Sequence, residues 1–134
     1  MLESGLGYTS SGVIPSNVTL SQIGLVPFGM KSLQFKANEG FDLSGIFAVA
    51  LGGQTLSLTV LGTGSNYTLY GANINQWAGQ PAQLAFTVFA EVPHVNDETL
   101  FLDDIQFSDQ SVPEPSLFSL LALGGLFFGF RRLK

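Results

Sequence analysis

Ser32-Leu33-Gln34-Phe35-Lys36-Ala37 is the stretch that decides the fold class. Leu33, Phe35 and Ala37 fall on one side of an extended chain; Ser32, Gln34 and Lys36 fall on the other. That period of two is the mark of a half-buried β-strand. The same reading works outward along the chain. Gly45 to Leu51 is an apolar strand, and Gly52-Gly53-Gln54 after it is a hairpin signal. Thr55 to Leu61 alternates again, with Leu56, Leu58 and Val60 set against Thr55, Ser57 and Thr59. Gly62 to Asn66 reads as a turn and Tyr67 to Tyr70 as a further strand. Gln83 to Glu91 and Thr99 to Phe107 read as the last two. Strands at this spacing, with turn residues between them and no helical period, predict an all-β sandwich. Residues 8–30 are rich in Ser, Gly, Pro and Asn and read as loop with one short strand. The body is therefore expected to run from 1 to 111, with 1–30 loop-rich.

Composition narrows the chemistry. The 134 residues allow one domain and a tail. There is no cysteine, hence no disulfide framework, no thiolate metal site and no cysteine nucleophile. Residues 1–111 hold nine acidic side chains against two basic ones, Lys31 and Lys36; the remaining bases are Arg131, Arg132 and Lys134. An acidic body lacks the basic footprint that nucleic acid requires, so no nucleic-acid partner is expected. No phosphate loop, Gly-x-Ser-x-Gly elbow or histidine-based metal motif occurs. The body is expected to be non-enzymatic, with catalytic residues none.

The tail, 112–134, has three parts in order. Val112-Pro113-Glu114-Pro115-Ser116 comes first. Pro113 and Pro115 fix their own φ and push Val112 and Glu114 toward extended backbone, so no helix runs through this segment. Pro115 and Ser116 suit a helix entry. Next, residues 117–130 are apolar all round, carried by Leu117, Leu120, Leu121, Leu123, Leu126, Phe127, Phe128 and Phe130. A helix without a polar face belongs in lipid or in a deep core. Its length of roughly 21 Å falls short of the hydrocarbon core of about 30 Å. The basic stop of Arg131, Arg132 and Lys134 nevertheless suits a membrane helix whose end stays cytoplasmic. A single transmembrane-type helix is expected here.

Those three parts together resemble the PEP-CTERM sorting signal of exported bacterial proteins. The resemblance implies recognition by an exosortase, a membrane-embedded cysteine transpeptidase-like enzyme, with cleavage near Pro113 to Pro115. It also implies anchoring of the unprocessed chain by its tail, then delivery of the body to the cell surface or extracellular matrix. Met1 to Tyr8 has neither a basic n-region nor an apolar h-region, so a leader and a first strand are expected upstream of this sequence.

In the body, the Tyr67-to-Phe86 stretch with Ile74-x-x-Trp77-Ala78-Gly79, followed by Phe101-Leu102-Asp103-Asp104-Ile105, resembles bacterial galactose-binding or carbohydrate-binding-module domains. That likeness implies a jelly-roll sandwich lacking its first strand, with a short helical turn at Ile74–Trp77. It also implies a structural Ca²⁺ ligand on the last strand. Alternation with Phe101 and Ile105 on the core face points Asp103 inward and Asp104 outward. Glu39, Asp42 and Asn96 are further oxygen donors for such a hard cation. Against this stands a plain reading, with Asp103 bonded to loop backbone and Asp104 solvated. Tyr70 and Trp77 are candidate sugar-stacking residues, although Trp77 in its turn also suits a core plug. Tyr67 and Tyr70, three apart, fall on opposite faces of a strand. His94, the only histidine, sits in a loop and is expected to face solvent. The leading expectation is a non-enzymatic exported surface or matrix protein. The alternative is a carbohydrate-binding module attached to exopolysaccharide.

Overall fold

The computed structural model describes residues 2–9, 12–39, 47–89 and 98–113. Among them ten strands form two antiparallel sheets, and the sole helix is one 3-10 turn at Asn75–Trp77. The strands are β1 (Leu2–Thr9), β2 (Gly12–Ser16), β3 (Val18–Leu25), β4 (Ser32–Glu39), β5 (Phe47–Leu51), β6 (Gln54–Thr55), β7 (Thr59–Thr63), β8 (Thr68–Asn73), β9 (Pro81–Val88) and β10 (Glu98–Ser108). One sheet has the order β2-β1-β10-β4-β8-β7 and the other β3-β9-β5-β6.

The stretch that announced the fold lies inside the larger sheet. Leu33, Phe35 and Ala37 of β4 are buried, as their alternation requires. Phe35 reaches across to the other sheet. Its ring meets Phe86 edge-on at 5.2 Å and Phe47 edge-on at 6.3 Å, and stacks on Tyr70 of the neighbouring β8 at 5.5 Å. Edge-on and stacked pairs at these distances add to the burial of ring area itself. Val49, Leu51, Ala72, Ile74, Val88 and Leu100 close the core around this cluster.

Several local expectations are corrected. Residues 8–30 are not mainly loop: β2 and β3 occupy much of them. β3 pairs along its whole length with β9, from Val18 opposite Val88 to Leu25 opposite Pro81. It is an edge strand with seven of its eight residues exposed, including Leu20, Ile23 and Leu25, so it has no alternation to read. The expected strand from Thr55 to Leu61 is divided. The chain leaves the four-stranded sheet after Thr55 and joins the six-stranded sheet at Thr59. Leu56 is buried and Leu58 half-buried during the crossing. These two keep their expected side because the crossing chain still presents one side to the core, whereas Val60, expected beside them, is exposed once the chain has joined β7.

The largest correction concerns β10. Phe101 and Ile105 are 47% and 43% exposed, whereas Leu100 is buried and Leu102 half-buried. Leu102 pairs with Ala37 and Asp103 with Lys36; pairing then resumes at Gln106 opposite Gln34. Asp104 and Ile105 together oppose the single residue Phe35, which is a β-bulge. Asp104 adopts φ 49°, the left-handed conformation that Asp tolerates better than most residues. The bulge transfers the core face from Leu100 and Leu102 to Phe107. Asp103 precedes the bulge and alternates with the inward Leu102, so it lies on the exposed side, not inward.

The Gly52-Gly53 hairpin forms as expected. Both residues have positive φ, 59° and 82°, and Leu51 pairs with Gln54 across a two-residue I′-type loop. A Cβ on Gly52 would stand 2.4 Å from Trp77 Nε1, whereas one on Gly53 would meet nothing within 4 Å. Gly53→Ala should therefore cost about 1 kcal/mol for φ strain alone, and Gly52→Ala roughly 1–3 kcal/mol more from displacing Trp77. Urea denaturation followed by Trp fluorescence checks this, and equal losses would dismiss the Trp77 contact. Phe35→Ala should cost roughly 3–5 kcal/mol. That is a large share of the ~5–15 kcal/mol typical of a domain, so the variant's urea midpoint should fall steeply; an unchanged midpoint would show that the inter-sheet cluster does not support the fold.

Candidate functional site at the root of the tail

After β10 ends at Ser108, the chain does not leave the body. Residues 109–113 cross the outer face of the six-stranded sheet as a strap, meeting its strands in their spatial order. Over β4, the buried Ser32 hydroxyl donates to the Gln110 carbonyl at 2.6 Å. Over β8, the Asn73 side chain donates through Nδ2 to the Val112 carbonyl at 2.7 Å. The Val112 N–H in turn donates to Asn73 Oδ1 at 2.9 Å. Near β7, the Thr59 hydroxyl makes a weak bond of 3.4 Å to the Pro113 carbonyl.

Asn73 thus acts as a short stand-in for a neighbouring strand. Its amide carries one donor and one acceptor group, and both are matched to the two backbone groups of a single residue. Val112 itself is only 4% exposed. Its methyl groups lie over Gly71, where an added Cβ would come within 2.8 Å of Val112 Cγ2 and 2.7 Å of Leu61 Cδ1. Gly71 is the bare spot on β8 that lets the strap lie flat.

Beside the strap, at the rim of the sandwich, is an open cleft of about 640 Å³. Its walls come from the β5–β6 hairpin side (Gln54, Thr55), the crossing segment (Leu56, Ser57), the start of β7 (Thr59), the end of β8 (Asn73) and the 3-10 turn (Asn75, Gln76, Trp77), with Val112 completing it. Trp77 is half-buried and packs against the core, consistent with a plug, but it also forms part of this wall. Gln76 Nε2 donates to Gln54 Oε1 at 3.0 Å across the cleft. Among the described residues no charged side chain lines it.

Tyr70, the other expected stacking residue, is placed elsewhere. Its ring stacks on Phe35 and meets Phe47 edge-on at 5.5 Å, inside the sandwich. Tyr67 and Tyr70 do fall on different sides. Tyr67 is on the outer surface, where Lys36 Nζ lies 4.8 Å above its ring.

Asp103 and Asp104 also occupy that outer surface. Asp104 pairs with Lys36 at 2.7 Å. The hydrogen bond and charge of Asp104 raise the Lys36 pKa. Asp103 Oδ1 accepts the Asp104 N–H at 2.8 Å and lines a second shallow hollow with Tyr67 and Phe101. One carboxylate is thus neutralised and the other is engaged with local backbone. Among the described residues no group of three or more His, Cys, Asp or Glu side chains is arranged to hold a metal ion. Two carboxylates alone do not complete the multi-oxygen shell that Ca²⁺ demands. Asp42, His94, Asn96, Asp97 and residues 114–134 lie outside the described residues, as does the Glu39 side chain. Among the described residues no helix is long and apolar enough to cross a membrane.

The strap gave no recognisable signal in the sequence, because the partner of its backbone is a side chain. Asn73→Ala should leave both Val112 backbone groups unpaired at a cost of roughly 1–3 kcal/mol. Amide exchange at Val112 should accelerate about tenfold or more while the Phe35 amide keeps its protection. Equal protection of Val112 in the variant would show that the clamp contributes nothing.

Comparison with known proteins bears on this end of the molecule. Residues 111–133 match the PEP-CTERM protein-sorting motif. No curated protein matches the chain, and no solved structure does. The expected likeness of the body to galactose-binding domains therefore finds no counterpart there. The chain carries a PEP-CTERM protein-sorting motif at residues 111–133, and Val112 anchors the start of that motif in the folded body.

Proposed function

We propose that this protein is an exosortase substrate: a non-enzymatic β-sandwich exported by a bacterium, processed at its tail and displayed at the cell surface or in the extracellular matrix. The single observation that carries the reading is the match of residues 111–133 to the sorting motif. Its physical parts support the same sequence of events. The apolar run 117–130 holds the unprocessed chain in the membrane, and Arg131, Arg132 and Lys134 keep its end on the cytoplasmic side. Pro113-Glu114-Pro115 is the extended segment offered to the enzyme. Because the strap secures the chain through Pro113, cleavage beyond that point releases a body whose hydrogen bonds to the strap remain intact.

A second reading concerns what the delivered body does. We read the sandwich as jelly-roll type, supported by the non-sequential strand order in both sheets. Within it, the cleft containing Trp77, lined among the described residues by uncharged side chains, favours attachment to exopolysaccharide. Neither calcium nor another cofactor is needed for this reading.

The processing step is tested with Glu114→Gln and with the double change Pro113→Ala and Pro115→Ala, expressed in a host that has the exosortase. Both variants should accumulate as a longer, membrane-bound form on immunoblots, while the unaltered chain appears shortened outside the membrane fraction. Variants trimmed and released like the unaltered chain would sink the sorting mechanism.

A further inference from the structure

We propose that the cleft between Gln54, Asn75, Gln76 and Trp77 is a binding site for a neutral polysaccharide chain. This deepens the exopolysaccharide reading above by naming the site and the class of sugar. Four observations bear on it. The volume, about 640 Å³, falls within the range of about 300–1,000 Å³ usual for small-ligand sites. The walls combine one large aromatic side chain with amide and hydroxyl groups. A pyranose ring has the complementary chemistry, with an apolar C–H face for the aromatic and hydroxyls at its edge for the amides.

The third observation is the Gln76–Gln54 bond. Gln76 Nε2 donates to Gln54 Oε1. Each amide keeps its other half for a ligand: Gln54 has an NH₂ donor and Gln76 a carbonyl acceptor. A sugar hydroxyl both donates and accepts, so one such group satisfies this pair. Their mutual bond also fixes the two flexible side chains before any ligand arrives, which lowers the ordering penalty of binding.

The fourth observation is that the described residues of the wall carry no charge. Uronate or sulfated chains need cationic partners, and amino sugars need carboxylates; among the described residues neither lines the cleft. The body's acidic side chains elsewhere add repulsion against anionic glycans. Selectivity for uncharged chains follows.

The test uses the full chain in mild detergent, titrated with hexasaccharides of neutral glucan, galactan and mannan, and with oligogalacturonate and chitosan oligomers as charged probes. At least one neutral probe should shift Trp77 emission, Trp77 being the chain's one tryptophan. Its affinity should be unchanged between low and high salt. The double variant Gln54→Ala and Gln76→Ala should weaken that binding about tenfold or more, with the urea midpoint preserved. Trp77→Phe, whose binding is read by titration calorimetry because the variant has no tryptophan, should retain the fold and weaken binding further. Lack of binding to every neutral probe would overturn the proposal. So would stronger or salt-sensitive binding of a charged probe, or undiminished binding by the double glutamine variant. The same double variant should be processed like the unaltered chain. Failure of the glycan site is thereby separated from failure of the sorting mechanism, which the Glu114 and proline variants report.

Discussion

Phe35 is the residue on which the two sheets depend. Antiparallel pairing explains each sheet separately, but does not hold one against the other. That requires side chains long enough to cross the gap of about 10 Å between stacked sheets. Phe35 supplies one from the middle of the larger sheet, and Phe86 and Phe47 receive it from the smaller. The Asp104 bulge lies directly opposite Phe35 on the next strand. The most heavily engaged core position and the sharpest irregularity of the sheet are therefore neighbours. The bulge exposes Asp104 and Ile105 together while letting Phe107 return to the core.

The strap depends on the same sheet from its other side. The face of β4 that carries Leu33, Phe35 and Ala37 builds the core; the opposite face carries Ser32, which receives Gln110. On β8 the division is similar. Tyr70 and Ala72 face inward, while Gly71 and Asn73 accept the strap. One sheet thus serves two purposes through the strict alternation of its side chains. The body's stability and the position of the sorting motif are connected through two strands.

Legibility in the sequence followed burial. β4, β5, β9 and the Gly52-Gly53 turn were readable because one face or one conformation dictated the residue types. β3 was not: as an edge strand with Leu20, Ile23 and Leu25 exposed among polar neighbours, it has no face to advertise. β10 was found, but its orientation was misread. Phe101, Ile105 and Phe107 form a persuasive odd-numbered series, and only the left-handed Asp104 breaks it. The sorting motif was legible because the order of its parts is linear. Its docking was not, since the Asn73–Val112 clamp joins residues 39 apart by matching a side chain to backbone. The cleft was half-legible: Trp77 stood out, but nothing local connected it to Gln54 in the hairpin.

The Asn73 clamp grips the main chain of residue 112, not its side chain. Its two hydrogen bonds are indifferent to which amino acid stands there, so long as that residue has an N–H. Proline alone is excluded on chemical grounds. Shape imposes the remaining restriction, because the side chain must fit over Gly71 beside Leu61. Position 112 should thus tolerate exchange among small aliphatic residues, while Gly71 and Asn73 should resist substitution whichever of these stands there. The first residue of the tail and two residues of β8 form one structural unit, although they lie on opposite sides of the boundary between body and sorting signal.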